Sequence, residues 1–158
     1  AYEEDIRVPL LIRGPGIPAG SEDSRHIVLN VDIAPTIAGL AGIRTPANVD
    51  GRSLAPLWSS GSGPATWRRA FPVARWPKPA PDPFYGLSIT GVRTLRHTWV
   101  EWSNGQRELY DNLNDPWQIA SQHDANGTAT LRAQLSSLAS ALAACSGKAC
   151  RDLEDAAP

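Results

Sequence analysis

The sequence predicts an α/β layer that continues into a small antiparallel sheet covered by one terminal helix. A continuous apolar run at Val8–Ile12 precedes apolar residues at helical spacing, which is typical of the edge of an α/β layer. Two β-rich runs flank Asn104-Gly105, which indicates a hairpin. Leucines recur with helical periodicity near the end of the chain, which predicts an amphipathic helix over the sheet.

Composition and charge narrow the class of protein. The chain has 158 residues, of which 42% are hydrophobic and 20% charged, and its formal net charge is −1. These values are typical of a globular protein and provide no positive surface for nucleic acid or an acidic membrane. No apolar run approaches the roughly 20 residues that span a bilayer. The sequence shows no secretory leader and no methionine, and we expect it to be a piece of a longer product.

The first half of the sequence carries the predicted α/β elements. Val8–Ile12 has the unbroken apolar pattern of a strand covered on both faces, and Ile27–Asp32 is a second strand candidate. A helix follows, with Pro35 in its first turn and Gly42 at its end. Its predicted apolar face comprises Ile33, Ile37, Leu40 and Ala41. Residues 50–58 indicate one more short helix.

A Ser/Gly-rich stretch at residues 59–66 is the predicted boundary between two domains. We expect residues 1–60 to form the end of an α/β domain and residues 61–158 to form a smaller α+β domain. The smaller domain has a strand candidate at residues 71–76, followed by a proline-rich loop.

The predicted hairpin joins the β-rich run at residues 87–102 to the run at residues 107–112. The terminal helix has Thr128 as its expected N-cap and is expected to end near Ala144. Its apolar stripe comprises Leu131, Leu135, Leu138 and Leu142.

The two cysteines, Cys145 and Cys150, lie close together in the sequence. We predict that they form a disulfide across a tight terminal loop, and two unpaired thiols are the alternative. The spacing differs from a C-x-x-C redox motif, and no nearby His or second Cys pair suggests zinc. A disulfide would place the protein outside the cytoplasm.

Two further polar motifs admit a functional and an ordinary interpretation. Glu3, Glu4 and Asp5 can be metal ligands or a solvated start to a strand. Asn126-Gly127-Thr128 fits an N-glycosylation acceptor, a motif that also arises by chance.

The candidate substrate-binding residues are Arg93, His97 and Trp76. Arg93 and His97 lie on the predicted hairpin, where they can bind an anion or a sugar, or belong to an ordinary sheet face. Trp76 lies beside the proline-rich loop and can fill a core or serve as an exposed stacking platform.

Six motifs follow one another along the chain: YEEDIRVPLLIRGPGI, NVDIAPTIAGLAGI, DGRSLAPLW, VRTLRHTWVEW, ELYDNLNDP and CSGKAC. In this order they resemble the carboxy-terminal part of type I sulfatases. The resemblance covers nearly the whole chain apart from the loop around residues 59–90, and it is strongest to the N-acetylglucosamine-6-sulfatase branch, which shares the CSG-x-x-C ending.

The resemblance implies an alkaline phosphatase-like fold in which Val8–Ile12 joins the large central sheet of a catalytic domain. Family members hydrolyse sulfate esters with a formylglycine and a calcium ion. Neither Cys145 nor Cys150 is followed by the Pro-x-Arg of the formylglycine motif. The resemblance therefore implies that the catalytic residues and calcium ligands lie upstream, that this chain itself holds no metal or cofactor, and that alone it is inactive.

The resemblance further implies that the parent enzyme acts on a sulfated sugar or an aryl sulfate, in a secreted or periplasmic location, without nucleic acid or membrane partners. Two departures from the family pattern concern the substrate: Ala74-Arg75 stands where relatives often carry an acidic residue, and Thr98 replaces a usual Lys. The alternative hypothesis is a non-catalytic glycan-binding or interaction module derived from such an enzyme.

Overall fold

The computed structural model describes residues 2–59, 63–79, 81 and 84–158, which form two compact units. The sheet unit comprises residues 1–8, 70–144 and 158, and the loop-helix unit comprises residues 9–69 and 145–157. The boundary predicted at residues 59–66 includes residues 60–62, which lie outside the described residues, and the division into domains 1–60 and 61–158 stays a prediction. No helix in the described ranges combines the length and apolar character needed to cross a bilayer.

Short helices and four strands make up the regular structure of the described residues. The helices are α1 (Glu3–Ile6), α2 (Ile33–Leu40), α3 (Pro56–Ser59), α4 (Ala129–Ala144) and α5 (Lys148–Asp155), and a 3₁₀ turn covers Asn30–Asp32. The strands are β1 (Ala70–Arg75), β2 (Ile89–Thr94), β3 (His97–Trp102) and β4 (Arg107–Asp111).

The sheet unit contains an antiparallel sheet in the order β1-β2-β3-β4. The strand expected at residues 71–76 is confirmed, and so is the hairpin, whose turn has Gly105 at φ +89°. The long β-rich run at residues 87–102 forms two strands rather than one. Between them the Thr94 hydroxyl accepts hydrogen bonds from the backbone N–H groups of Arg96 and His97, which closes a tight turn.

Helix α4 packs on β1, β2 and β3 and covers one face of the sheet. Val92, Trp99 and Leu109 lie on this face by the antiparallel register and are at most 2% exposed. The Ser136 hydroxyl of α4 donates to Glu101, which shares this face. Burial of each such apolar side chain contributes roughly 1.5–3 kcal/mol, so this face is the core of the sheet unit. The predicted terminal helix and its end at Ala144 are confirmed.

The N-terminal residues lie over the opposite face of the same sheet. The Tyr2 ring lies 6.3 Å from the Tyr110 ring, and the Glu3 carboxylate accepts two hydrogen bonds from Arg93. The backbone N–H of Glu3 donates to the side-chain oxygen of Gln118 at 2.7 Å. Gln118 is 3% exposed and has φ +52°, a left-handed conformation that costs a non-glycine residue energy and that the surrounding contacts must maintain.

The strands expected at Val8–Ile12 and Ile27–Asp32 are not formed in the described residues. Residues 8–12 are in neither a helix nor a strand, and Leu11 is 94% exposed. The second segment instead ends in the 3₁₀ turn. A strand requires a neighbour to accept and donate its backbone hydrogen bonds, and the described residues provide none for either segment.

Helix α2 and the stop at Gly42, which has φ +70°, are confirmed, but the expected apolar face is not buried. Ile37 is 62% and Leu40 67% exposed, whereas Pro35 and Thr36 are buried. Thr36 can be buried because both hydrogen-bonding roles of its hydroxyl are satisfied. The hydroxyl donates to the Asp32 carbonyl at 2.6 Å and accepts from the Leu54 N–H at 2.9 Å.

A buried ion network holds the loop-helix unit together. Arg68 and Asp32 have side chains that are 0% exposed, and two guanidinium nitrogens of Arg68 donate to the carboxylate at 2.6 and 2.9 Å. The Arg68 Nε donates to Glu154 at 2.8 Å, and Arg52 donates to the same Glu154 oxygen at 2.8 Å. Burial alone would lower the pKa of Arg68, but the hydrogen bonds and charges of Asp32 and Glu154 raise it above its usual value.

The Cys145–Cys150 disulfide is formed, with its α-carbons 5.2 Å apart. The chain reverses at Gly147, whose φ is +59°, and a side chain there would meet the Ala47 carbonyl oxygen 2.2 Å away. Helix α5 follows immediately and was missed by the sequence patterns. Its Lys148–Asp152 pair at i,i+4 spacing, 2.6 Å apart, is the local signal that indicates a helix there.

Candidate functional site

The predicted substrate-binding residues Arg93 and His97 are not brought together. The register places Arg93 opposite Thr98, so Arg93 and His97 project from opposite faces of the sheet. The Arg93 guanidinium is already paired with Glu3, through nitrogen–oxygen distances of 2.5 and 3.2 Å. A ligand anion on Arg93 would therefore compete with Glu3.

His97 and Trp76 have different surroundings. Partial burial and the charges of Arg96 and Arg93 lower the pKa of His97, against the opposing effect of Asp111. The ring is therefore neutral at pH 7, a state that suits hydrogen bonding more than anion binding. Trp76 directly follows β1 and is 77% exposed, so its ring is open to a stacking partner.

The acidic N-terminal residues show no metal-site arrangement. Glu3 is the partner of Arg93, and Glu4 and Asp5 are exposed. Within the described ranges, no three His, Cys, Asp or Glu side chains are grouped as metal ligands. Asn126 is exposed, and its glycosylation stays a prediction.

The sheet unit contains a groove that the sequence patterns did not reveal, and we call it the Glu108 groove. It encloses about 430 Å³ and lies mainly on the sheet face opposite α4. Its principal lining residues are Tyr2, Val73, Phe84, Ile89, Trp102 and Glu108. These residues come from the N-terminal segment, from the loop that contains Phe84 and from all four strands of the sheet. The only local signal is the hairpin, whose register places Trp102 and Glu108 on the same side.

Glu108 is held in the groove by two donors. Its Oε1 accepts a hydrogen bond from the Trp102 indole nitrogen at 2.6 Å, and its Oε2 accepts one from the Tyr110 hydroxyl at 3.0 Å. Burial, followed by the charge of Glu108, raises the pKa of Tyr110 well above its usual value. The phenol therefore remains a hydrogen-bond donor, and the carboxylate orientation is set by the protein itself.

Aromatic rings and one arginine form the wall of the groove. The Phe84 and Trp102 rings have centroids 5.4 Å apart with planes inclined at 36°. The Arg75 guanidinium lies 5.4 Å from the Phe84 centroid and donates to the Leu87 carbonyl at 2.6 Å. This cation–π contact and hydrogen bond position the Phe84 loop beside the sheet.

A second, more polar cavity of about 590 Å³ adjoins the groove. The two cavities share Tyr2, Gln106 and Glu108, so the Glu108 side chain borders both. The second cavity is otherwise lined by Gly105, Arg107, Tyr110, Ser121, His123 and Asp124.

The loop-helix unit presents large apolar side chains to solvent. Leu11 is 94% exposed and Ile43 63% exposed, in addition to the residues of α2 described above. Contiguous apolar surfaces of more than a few hundred Å² are rare on monomeric proteins and usually mark an interaction site. The apolar residues of this unit are therefore candidates for an interface.

Comparison with known proteins shows related sequences and folds. Residues 1–144 match the family model described as N-sulphoglucosamine sulphohydrolase, C-terminal. The chain is 57% identical over 56 residues to an extracellular sulfatase SULF-1 homolog from Drosophila melanogaster, which covers 35% of this chain and 5% of the relative. It is 39% identical over 122 residues to an N-acetylglucosamine-6-O-sulfatase from Bacteroides thetaiotaomicron, covering 75% of this chain and 21% of the relative.

A solved structure has a similar fold. It is described as a complex with its substrate D-glucosamine-2-N,6-O-disulfate, and it aligns with a TM-score of 0.69 and 29% sequence identity. The alignment covers 79% of this chain and 25% of that chain. The chain thus spans about a quarter, or less, of the length of these proteins.

Proposed function

The chain belongs to the family of sulfatase C-terminal domains described as N-sulphoglucosamine sulphohydrolase, C-terminal, and we propose that it completes a sulfate ester hydrolase whose catalytic residues lie upstream. Its fold is that of the alkaline phosphatase-like sulfatases. The observation that carries the proposal is the set of large apolar side chains that the loop-helix unit exposes to water. Such side chains are normally buried, so we expect another part of the enzyme to cover them.

The apolar segments fit this role individually. Val8–Ile12 has the composition of a strand covered on both faces, yet Leu11 is almost fully exposed. In the proposed whole enzyme this segment pairs with a strand of the central sheet, and the exposed face of α2 packs beside it. Burying side chains of this size contributes roughly 1.5–3 kcal/mol each, which is enough to hold the two parts together.

The formylglycine and calcium ion implied by the family do not fit the residues of this chain. Neither cysteine is free, since both are in the disulfide, and no group of three potential metal ligands occurs in the described ranges. The catalytic residues of the proposed reaction are therefore assigned to the sequence upstream of this chain.

A sulfated carbohydrate is the proposed substrate class of the whole enzyme. Support comes from the similar structure described with a disulfated glucosamine and from the N-acetylglucosamine-6-O-sulfatase relative. A secreted or periplasmic location is proposed on two grounds: the disulfide is favoured in oxidising compartments, and a relative is described as extracellular.

A chimera tests the proposal directly. This chain replaces the matching region of the Bacteroides N-acetylglucosamine-6-O-sulfatase, and hydrolysis of N-acetylglucosamine 6-sulfate is measured. We expect turnover by the chimera and none by the enzyme lacking that region. We also expect no hydrolysis of nitrophenyl sulfate by the isolated chain, with or without calcium. Turnover by the isolated chain, or a folded chimera without activity, would contradict the proposal.

A matched pair of variants tests the interface. Leu11→Asp places a charge in the proposed interface, whereas Ile119→Asp places one on a side chain of the sheet unit that is 82% exposed. We expect Leu11→Asp to abolish activity of the chimera and Ile119→Asp to preserve it. Equal activities of the two variants would show that Leu11 is not buried in the assembled enzyme.

The alternative, a non-catalytic glycan-binding module, is favoured by one specific observation, the Glu108 groove. An isolated module would bind carbohydrate without contributing to turnover of the chimera. The chimera experiment therefore separates the two functions.

A further inference from the structure

We propose that the Glu108 groove binds an unsulfated, uncharged pyranose ring of a carbohydrate chain. Binding of the ring is inferred from the groove alone, whereas its place in a sulfated polysaccharide rests on the function proposed above. All of the described residues that line the groove belong to the sheet unit, so this chain is used to test it.

The size and aromatic wall of the groove fit a sugar ring. A volume of about 430 Å³ falls within the roughly 300–1,000 Å³ of small-molecule sites. Phe84 is 49% and Tyr2 43% exposed, so both rings keep accessible surface in a concave setting. The C–H face of a pyranose is apolar and can pack on such rings, while its hydroxyl groups point to the side.

Glu108 supplies the polar recognition. A carboxylate has about four acceptor sites, and the Trp102 indole and the Tyr110 hydroxyl occupy two of them. The remaining acceptor sites can receive hydrogen bonds from adjacent ring hydroxyls. Because both protein donors hold the carboxylate in one orientation, a ligand loses little free energy in ordering it.

The charge of the lining selects against sulfate. Among the described lining residues, two carboxylates, Asp5 and Glu108, face one guanidinium, Arg75, which gives this part of the groove an excess negative charge. The Arg75 guanidinium lies over the Phe84 ring and donates hydrogen bonds to the backbone carbonyls of Phe84 and Leu87. A sulfated ring would bring a like charge toward the carboxylates, whereas a neutral ring offers hydroxyl donors.

The test is a titration of the ¹⁵N-labelled chain followed by NMR. The probes are the methyl β-glycosides of glucose, galactose and N-acetylglucosamine, with glucose 6-sulfate as the charged counterpart. The Trp102 indole N–H reports on the groove because it donates to Glu108, and the exposed Trp117 indole, which lines neither cavity, serves as an internal control. We expect at least one neutral glycoside to shift the Trp102 signal with millimolar affinity, leaving the Trp117 signal unchanged.

Two variants and one control locate the binding. Glu108→Gln removes a charged acceptor and should weaken binding about tenfold. Phe84→Ala removes one ring of the wall and should weaken it about fivefold, and because this ring is half exposed the fold should be retained. Trp117→Ala should leave the affinity unchanged, since this ring is 68% exposed and lines neither cavity.

The outcomes separate this proposal from the function proposed above. No shift of the Trp102 signal with any neutral glycoside at its solubility limit would overturn it, as would tighter binding of glucose 6-sulfate. An active chimera without glycoside binding would overturn the groove proposal alone. Glycoside binding together with an inactive, folded chimera would support the groove and overturn only the proposed sulfatase role.

Discussion

Replacement of Asp32 by asparagine tests whether the buried ion network holds the loop-helix unit together. The Asp32 carboxylate accepts two hydrogen bonds from Arg68 and one each from the backbone N–H groups of Leu29 and Arg52, at 2.6 to 2.9 Å. Asparagine preserves the shape of the side chain but removes its charge. Arg68, which is fully buried, would then keep only Glu154 as an anionic partner.

The expected loss of stability follows from this geometry. Removing one partner of a buried ion pair destabilises a protein by roughly 3–5 kcal/mol, because the remaining charge stays buried without compensation. Glu154 still accepts from the Arg68 Nε, so we expect a value near the lower end, about 3 kcal/mol. Asp155→Asn is the matched control: it breaks the more exposed Arg52–Asp155 pair and should cost no more than about 1 kcal/mol.

Urea unfolding of the oxidised chain measures both variants. With an m-value of roughly 2 kcal/mol/M, Asp32→Asn should lower the urea midpoint by about 1.5 M. If Asp32→Asn does not fold, the double variant with Arg68→Met supplies the test, because it removes the uncompensated charge and should recover folded protein. The role of the network would be refuted if Asp32→Asn lowered the free energy of unfolding by no more than Asp155→Asn does. It would also be refuted if the double variant were less stable than Asp32→Asn alone.

Two further perturbations concern acid stability and the disulfide. Hydrogen bonds from Arg96 hold the pKa of Asp111 in the folded chain below its usual range. As the pH falls below about 4, Asp111 therefore binds a proton in the unfolded chain before it does so in the folded chain. The stability that this carboxylate provides above that pH is lost in acid. Asp111→Asn should therefore flatten the acid-induced fall in Tm, and an unchanged profile would exclude this contribution. Cys150→Ser should lower the free energy of unfolding by about 1–2 kcal/mol relative to the wild-type chain. As the control, the wild-type chain is alkylated without reduction, and mass spectrometry should then find no alkylated cysteine.

The sheet unit was the more predictable part of the fold. β1, the hairpin around Gly105 and helix α4 all follow from patterns within about 20 residues: alternation, an Asn-Gly turn and leucine periodicity. In the loop-helix unit, the predicted Cys145–Cys150 disulfide is confirmed, and the chain reverses at Gly147 between the two cysteines. Within the sheet unit, the sequence did not reveal that residues 87–102 form two strands, β2 and β3. The turn between them, at Leu95-Arg96, contains neither glycine nor proline and so carries no turn signal.

The candidate sites were much less predictable. Arg93 and His97 are close in sequence, but the period of two in a strand places them on opposite sheet faces. The Glu108 groove depends on Tyr2, Phe84 and Trp102, whose separation in sequence conceals their proximity. No local pattern signals a cavity, because its walls are set by the packing of segments that are distant in the chain.

By itself the sequence determined the identity of the family, through six short motifs in order, and the local elements whose stabilising contacts lie within one turn or one hairpin. The tertiary structure alone decided whether apolar runs become strands and which charges meet. Val8–Ile12 is in neither a helix nor a strand, because strand formation requires a partner outside the segment and the described part of the chain offers none. Asp32, Arg68 and Glu154 become one network although 36 and 86 residues separate them, because only folding brings distant charges together and excludes water from them.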